Sequence, residues 1–123
     1  MKDHYTLYVR RYFLHIELEP GFEISLKTMQ RLWAAVVPVC EQHNTRRVLI
    51  EADHPTRETQ ALDVYDHGKL IATLKSHVLR VGFCLYDYQP DDLSELITMI
   101  AKLRTLTVRF FSDLDETLKW LQA

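Results

Sequence analysis

The segment Arg46-Arg47-Val48-Leu49-Ile50-Glu51 places three consecutive apolar residues between charged neighbours. Short continuous apolar runs of this kind are typical of strands that are buried on both faces of a parallel sheet. We therefore predict that residues 46–52 form a central strand and that the rest of the domain is arranged around it.

Other segments of the chain also carry strand patterns. Apolar and polar residues alternate from Tyr5 and again from Leu14, where His15 and Glu17 fall on the opposite side from the aliphatic residues. Two such segments in succession predict an N-terminal hairpin, ended by the turn residues Glu19-Pro20-Gly21. The five predicted strands lie near residues 5–10, 12–18, 46–52, 78–85 and 106–111.

About four helices are predicted between and after these strands, because apolar residues recur there at steps of three and four. Ser25 is the expected N-cap of a helix reaching about His43, in which Pro38 predicts a kink or an early end. Further helices are expected at about 61–76 and after Pro90. Ser112, with Asp115 three residues later, predicts the start of the last helix. Strands that alternate with helices imply an α/β fold with a mostly parallel five-stranded sheet.

Composition restricts the class of protein. The 123 residues suit a single domain, and a formal net charge of −2 provides no strong positive field for binding nucleic acid. No apolar run approaches the roughly 20 residues of a membrane span, and the first residues do not resemble a signal peptide. We therefore expect a cytoplasmic protein with no transmembrane segment. Cys40 and Cys84 lie in apolar patterns, which favours buried, inert thiols.

Three stretches of this chain together resemble the SpoIIAA-like superfamily, which includes the STAS domains. They are the capped helix and strand of 25–52, the helical pattern of 62–74, and the strand and helix of 108–121 that end in Trp120-Leu121. The resemblance implies a βα superhelix over residues 1–123, as in stand-alone bacterial members of unknown function, and a regulatory role in protein binding. The related shape of CRAL-TRIO domains implies an alternative, a carrier or sensor of a small apolar, lipid-like ligand.

The most specific family motif is absent. STAS switch proteins carry an Asp-Ser-Ser-Gly-like sequence with a phosphorylated Ser, whereas the stretch from Asp53 to Gln60 has neither Ser nor Gly. Thr56 or Thr59 could take the place of that Ser at a helix N-terminus, or could simply be an N-cap. By analogy, the resemblance implies a partner or switch surface at Asp53, His54, Thr56, Arg57 and Thr59.

No sequence motif points to catalysis, since the chain has no Gly-x-Ser-x-Gly elbow and no glycine-rich phosphate loop. The carboxyl ends of the predicted strands could gather polar side chains around one mouth, although loops after strands are commonly polar because they are solvated. Those side chains are Asp53, His54, Asp87, Tyr88 and Asp113. We predict no catalytic residue, no cofactor and no metal site, and rank an enzyme using these groups third.

Aromatic residues crowd the predicted hairpin. Tyr8 and Phe13 fall on the strand faces opposite the main alternation, so they predict either a dimer contact, together with Tyr12, or a further layer of core. The leading hypothesis is a non-enzymatic, homodimeric, STAS-like interaction module with an unidentified protein partner. An elongated apolar cavity between helices and sheet would instead favour the carrier of a small apolar ligand.

Overall fold

The computed structural model describes residues 4–53, 55–57, 66, 68–71, 73–76, 78, 80–87, 95, 97–99, 102 and 106–123. Its strands are β1 (Tyr5–Val9), β2 (Leu14–Leu18), β3 (Glu23–Ile24), β4 (Arg47–Ala52), β5 (Thr56–Arg57), β6 (Arg80–Leu85) and β7 (Thr107–Phe111). Five of them form one sheet in the order β1-β2-β4-β6-β7, with β4 at its centre. The predicted α/β class and all five predicted strands are confirmed.

The large sheet is mixed, so the prediction of a mostly parallel sheet is only partly right. β2, β4, β6 and β7 pair in parallel, whereas β1 pairs with β2 in antiparallel orientation. The connection between β1 and β2 is a tight turn in which the amide of Arg10 donates to the carbonyl of Phe13. A turn this short can join only antiparallel strands, because a parallel connection needs a crossover of a dozen residues or more.

A second, two-stranded sheet was not predicted. It pairs β3 with β5 in parallel, with Glu23 opposite Thr56 and Ile24 opposite Arg57. Strands of two residues are too short to show an alternating pattern in the sequence. Of the two threonines considered for a helix N-terminus, Thr56 lies in β5 and is therefore not at a helix start, whereas Thr59 lies outside the described residues.

Helix α1 spans Leu26–Gln42, and Ser25 is its N-cap, as predicted; the cap takes the form of a capping box. The Ser25 side chain accepts a hydrogen bond from the Thr28 amide, and the Thr28 hydroxyl oxygen accepts one from the Ser25 amide. Pro38 lies inside the helix, which continues to Gln42, so the suggested early end at Pro38 is wrong.

The last helix spans Leu114–Gln122 and is capped by Asp113 rather than by the predicted Ser112. An Asp113 carboxylate oxygen accepts from the Asp115 amide at 3.1 Å. Within the described residues, helical positions also occur at 68–71 and 97–99, and Thr73–Ser76 forms a 3₁₀ turn. Asp66, Glu95 and Lys102 are helical as well, and the other positions of the predicted helices at 61–76 and after Pro90 lie outside the described residues.

The two faces of the large sheet are covered unequally. One face packs against α1 in the larger core, which includes Leu14, Ile16, Val48, Ile50 and Phe83. The other face carries Leu49 and Cys84 beneath the last helix, in a core that includes fewer of the described residues. Among the described residues, no helix is long and apolar enough to cross a membrane.

Candidate functional site

Polar side chains gather on the face of the sheet that carries the last helix. Successive residues of a strand point to opposite faces, so Leu14 and Ile16 of β2 enter the larger core while His15 and Glu17 point the other way. The same alternation in β4 directs Ile50 into the larger core and Glu51 to the second face. His15 and Glu51 are partly buried there, and Glu17 is exposed.

The strand register aligns these residues across the sheet. Glu17 of β2 is paired with Glu51 of β4, and Glu51 is paired in turn with Cys84 of β6. In the next row, Tyr8 of β1 is opposite His15. The residues therefore meet because of hydrogen-bond register and not because they are close in the sequence.

Glu51 is the centre of a hydrogen-bonded group. His15 Nε2 lies 2.7 Å from Glu51 Oε1, and the Tyr86 hydroxyl donates to Glu51 Oε2. The side chains of His15 and Glu51 are only 13% and 16% exposed. Both oxygens of the Glu51 carboxylate thus have a neighbour, which restricts its orientation.

Glu17 completes a compact set of cation ligands. His15, Glu17 and Glu51 each offer one ligand atom, and the three atoms all lie within 4.8 Å of one another. An imidazole nitrogen with two carboxylates can hold a divalent transition-metal ion or share a proton. The geometry therefore brings together chemistry that the sequence did not predict.

Cys84 and Tyr86 lie beside this group and are held in their neutral forms. Burial raises the pKa of the Cys84 thiol, and hydrogen bonds with Thr117 and Tyr86 oppose that shift. The pKa of Tyr86 is strongly raised, first by loss of water around the hydroxyl and then by its hydrogen bond to Glu51. Tyr86 as a whole residue is 42% exposed, and its hydroxyl is held by the Glu51 carboxylate.

Aromatic rings border the group on the hairpin side. The rings of Tyr8 and Phe13 lie 5.6 and 6.5 Å from the His15 ring, measured between centroids. Phe13 is partly buried against the smaller core, whereas Tyr8 is 36% exposed and Tyr12 58% exposed. Of the predicted contact residues, Tyr8 and Phe13 are therefore brought to His15, and Tyr12 stands exposed on the turn.

The last helix reaches the sheet at a glycine. A Cβ at Gly82 would lie 3.0 Å from Thr117 Cγ2 and 3.4 Å from the nearest Trp120 ring carbon. Arg80 holds the end of the same helix, since its guanidinium donates to the carbonyl of Trp120 at 2.6 Å. The helix is thus fixed over β4, β6 and β7, and the His15 side of the face lies beside it.

The residues of the predicted switch surface occupy different settings. Asp53 is exposed directly after β4, and the backbone of Thr56 and Arg57 lies in β5. His54 and Thr59 lie outside the described residues. The assignment of a switch surface to these five residues stays a prediction.

The polar residues that were predicted to gather at the strand ends are not the ones that form the observed group of His15, Glu17 and Glu51. Asp113 serves as the cap of the last helix, and Asp87 is partly buried just after β6, while Tyr88 lies outside the described residues. The sequence pattern did direct His15 and Glu17 away from the larger core. What it lacked was the register that places Glu51 and Tyr86 beside them.

Comparison with protein-family models, with curated proteins and with solved structures finds no match for this chain.

Proposed function

We propose that this protein is a cytoplasmic, non-enzymatic interaction module of the SpoIIAA-like, STAS-like kind, which forms a homodimer through its β1–β2 hairpin. The exposed apolar surface of that hairpin is the observation that carries the proposal. Tyr8, Val9 and Tyr12 are 36%, 47% and 58% exposed and lie within five residues of one another. Tyr8 and Val9 are successive residues of β1 and lie on opposite faces of the sheet, so the exposed apolar residues surround one edge of the hairpin, as at many protein contacts.

The position of β1 supports a second copy as the occupant. β1 is an edge strand, so one side of its backbone has no neighbour within the five-stranded sheet. Two copies of an edge strand can pair in antiparallel orientation around a two-fold axis, which makes such a contact self-complementary. The sheet of one protomer would then continue into that of its partner.

Charged groups on the hairpin also suit an interface. The Arg10 guanidinium lies 4.9 Å from the centroid of the Tyr8 ring, and that of Arg11 lies 5.3 Å from the Tyr12 ring. These cation–π contacts hold the arginines over the rings at the protein surface. Tyrosine and arginine are the residue types that are enriched at protein contacts.

Light scattering on the purified protein tests the proposal. We expect twice the 14.6 kDa chain mass for the wild type at micromolar concentration, and the chain mass for a Tyr8→Ser/Tyr12→Ser variant. Met99→Ser is the matched control, because Met99 is also exposed, at 54%, but lies far along the chain from the hairpin. A wild-type protein that is monomeric at this concentration would contradict the dimer.

A carrier of a small apolar ligand is the second candidate, favoured by a groove of about 440 Å³ between α1 and the residues Leu70, Thr73 and Leu74. Its lining includes Trp33, Val37 and Leu74, and the Trp33 indole nitrogen has no hydrogen-bond partner among the described residues. The groove opens between exposed positions of α1, including Ala34, whereas the sequence argument required a cavity between helices and sheet.

Native mass spectrometry distinguishes the carrier from the dimer module. A carrier would retain a small apolar molecule through purification, and Ala34→Phe, which fills the groove, would abolish that added mass. The dimer would be unaffected by Ala34→Phe. Protein that shows the bare chain mass after purification and after exposure to fatty acid argues against the carrier.

A further inference from the structure

We infer that His15, Glu17 and Glu51 form a binding site for a divalent transition-metal ion. The ligand atoms are one imidazole nitrogen of His15 and one carboxylate oxygen from each glutamate, all within 4.8 Å of one another. All three residues stand on β2 and β4, two hydrogen-bonded strands in the interior of the sheet. The site is therefore built on rigid elements and does not depend on a loop.

The distances suit a metal after small side-chain rotations. Metal bonds of about 2.0–2.2 Å in tetrahedral geometry place neighbouring ligand atoms about 3.4 Å apart. His15 Nε2 and Glu51 Oε1 are already 2.7 Å apart, so an ion would separate them slightly. Glu17 is exposed and can rotate toward the other two ligands without disturbing the core.

The surroundings orient the ligands as a metal site requires. The Tyr86 hydroxyl binds Glu51 Oε2, which leaves Oε1 directed toward His15. Hydrogen bonds from neighbouring groups commonly fix metal-binding carboxylates in this way. The register also holds Glu17 beside Glu51, so two acidic side chains are neighbours on the same face, and their negative charges favour a bound cation.

The donor set selects the kind of ion. An imidazole nitrogen favours Zn²⁺, Cu²⁺, Fe²⁺ or Ni²⁺ over Mg²⁺ and Ca²⁺, which prefer oxygen ligands. Three protein ligands leave a coordination position for water or for a group from a binding partner. This inference concerns His15, Glu17 and Glu51 alone and holds for a monomer or a dimer.

Isothermal titration of the metal-free, full-length protein with Zn²⁺ tests the site. We expect one ion per chain for the wild type, much weaker binding of Mg²⁺, and a loss of Zn²⁺ affinity of about tenfold or more in Glu17→Gln. Glu17 is exposed, so this variant is expected to fold. Glu19→Gln is the control, because Glu19 lies one residue beyond β2 and outside the set of three ligands.

A Co²⁺ absorption spectrum gives a second measurement. Nitrogen and oxygen ligands should give ligand-field bands without the thiolate charge-transfer band that coordination by Cys84 would add. Retention of full Zn²⁺ affinity in both Glu17→Gln and His15→Gln would overturn the site. The same conclusion follows if Glu19→Gln loses as much affinity as Glu17→Gln, or if the wild type binds no Zn²⁺.

Discussion

Glu17 and Glu51 are paired neighbours in the parallel ladder between β2 and β4, and both point to the face of the sheet that carries the last helix. The Glu51 carboxylate has two hydrogen-bond partners: His15 Nε2, which lies 2.7 Å from Oε1, and the Tyr86 hydroxyl, which donates to Oε2. Glu17 is the more exposed of the two glutamates. In the absence of a bound cation, this pairing brings like charges together.

Replacement of Glu17 should therefore stabilise the metal-free fold. Adjacent like charges on neighbouring strands are destabilising, so we expect Glu17→Gln to raise the free energy of unfolding by roughly 0.2–1 kcal/mol. Urea denaturation in the presence of a chelator measures the change, and Glu19→Gln should not show the increase. A lower unfolding free energy in Glu17→Gln would mean that the repulsion is already compensated.

Gly82→Ala should destabilise the protein by about 1–3 kcal/mol, because the new methyl group would press on the last helix. The closest atom is Thr117 Cγ2, at 3.0 Å from the position that a Cβ on residue 82 would occupy. The double variant Gly82→Ala/Thr117→Ser removes that methyl group and keeps a hydroxyl for the bond to the Asp113 carbonyl. We expect it to recover part of the loss in urea denaturation, relative to Thr117→Ser alone. If Gly82→Ala lowered the unfolding free energy equally in the wild type and in Thr117→Ser, the strain would not lie at Thr117 Cγ2.

Asp113→Ala should lower the unfolding free energy by about 0.5–2 kcal/mol, since it removes the cap of the last helix. Ser112→Ala is the matched comparison, because Ser112 is the neighbouring residue that the sequence pattern favoured as the cap. We expect it to change stability by less than about 0.5 kcal/mol, as an exposed substitution usually does. Thermal denaturation of both variants measures the two changes in stability. A larger loss of stability for Ser112→Ala than for Asp113→Ala would contradict Asp113 as the cap.

Cys40 should make the fold less stable in alkaline solution. Burial, with a smaller effect from the Glu41 carboxylate, raises the pKa of the Cys40 thiol from 9.0 to about 11. The contribution of the neutral thiol to the free energy of unfolding is therefore complete below about pH 9 and is lost as the pH rises toward about 11. At pH 10 the loss is about 1 kcal/mol. Urea denaturation at pH 8 and at pH 10 measures this change. Between the two pH values the unfolding free energy should fall less for Cys40→Ala than for the wild type. Equal falls in the two proteins would contradict the raised pKa of Cys40.

Local periodicity was enough to predict the five strands of the large sheet and the first helix. The alternation in β2 and the apolar run of Val48-Leu49-Ile50 reflect which side chains a strand buries, and that information lies within a few residues. The cap at Ser25 is local as well, since its partner Thr28 is three residues away. At the last helix the local pattern indicated Ser112, whereas the N-cap in the structure is Asp113.

The short strands β3 and β5 and the polar cluster were decided by the tertiary structure. The sequence directs His15 and Glu17 to one face of β2, but Glu51 is 36 residues from His15 and is brought to it by the pairing of β2 with β4. Alternation fixes the face on which a side chain stands. The neighbour it meets across the sheet depends on the hydrogen-bond register, which is set by packing of the whole domain.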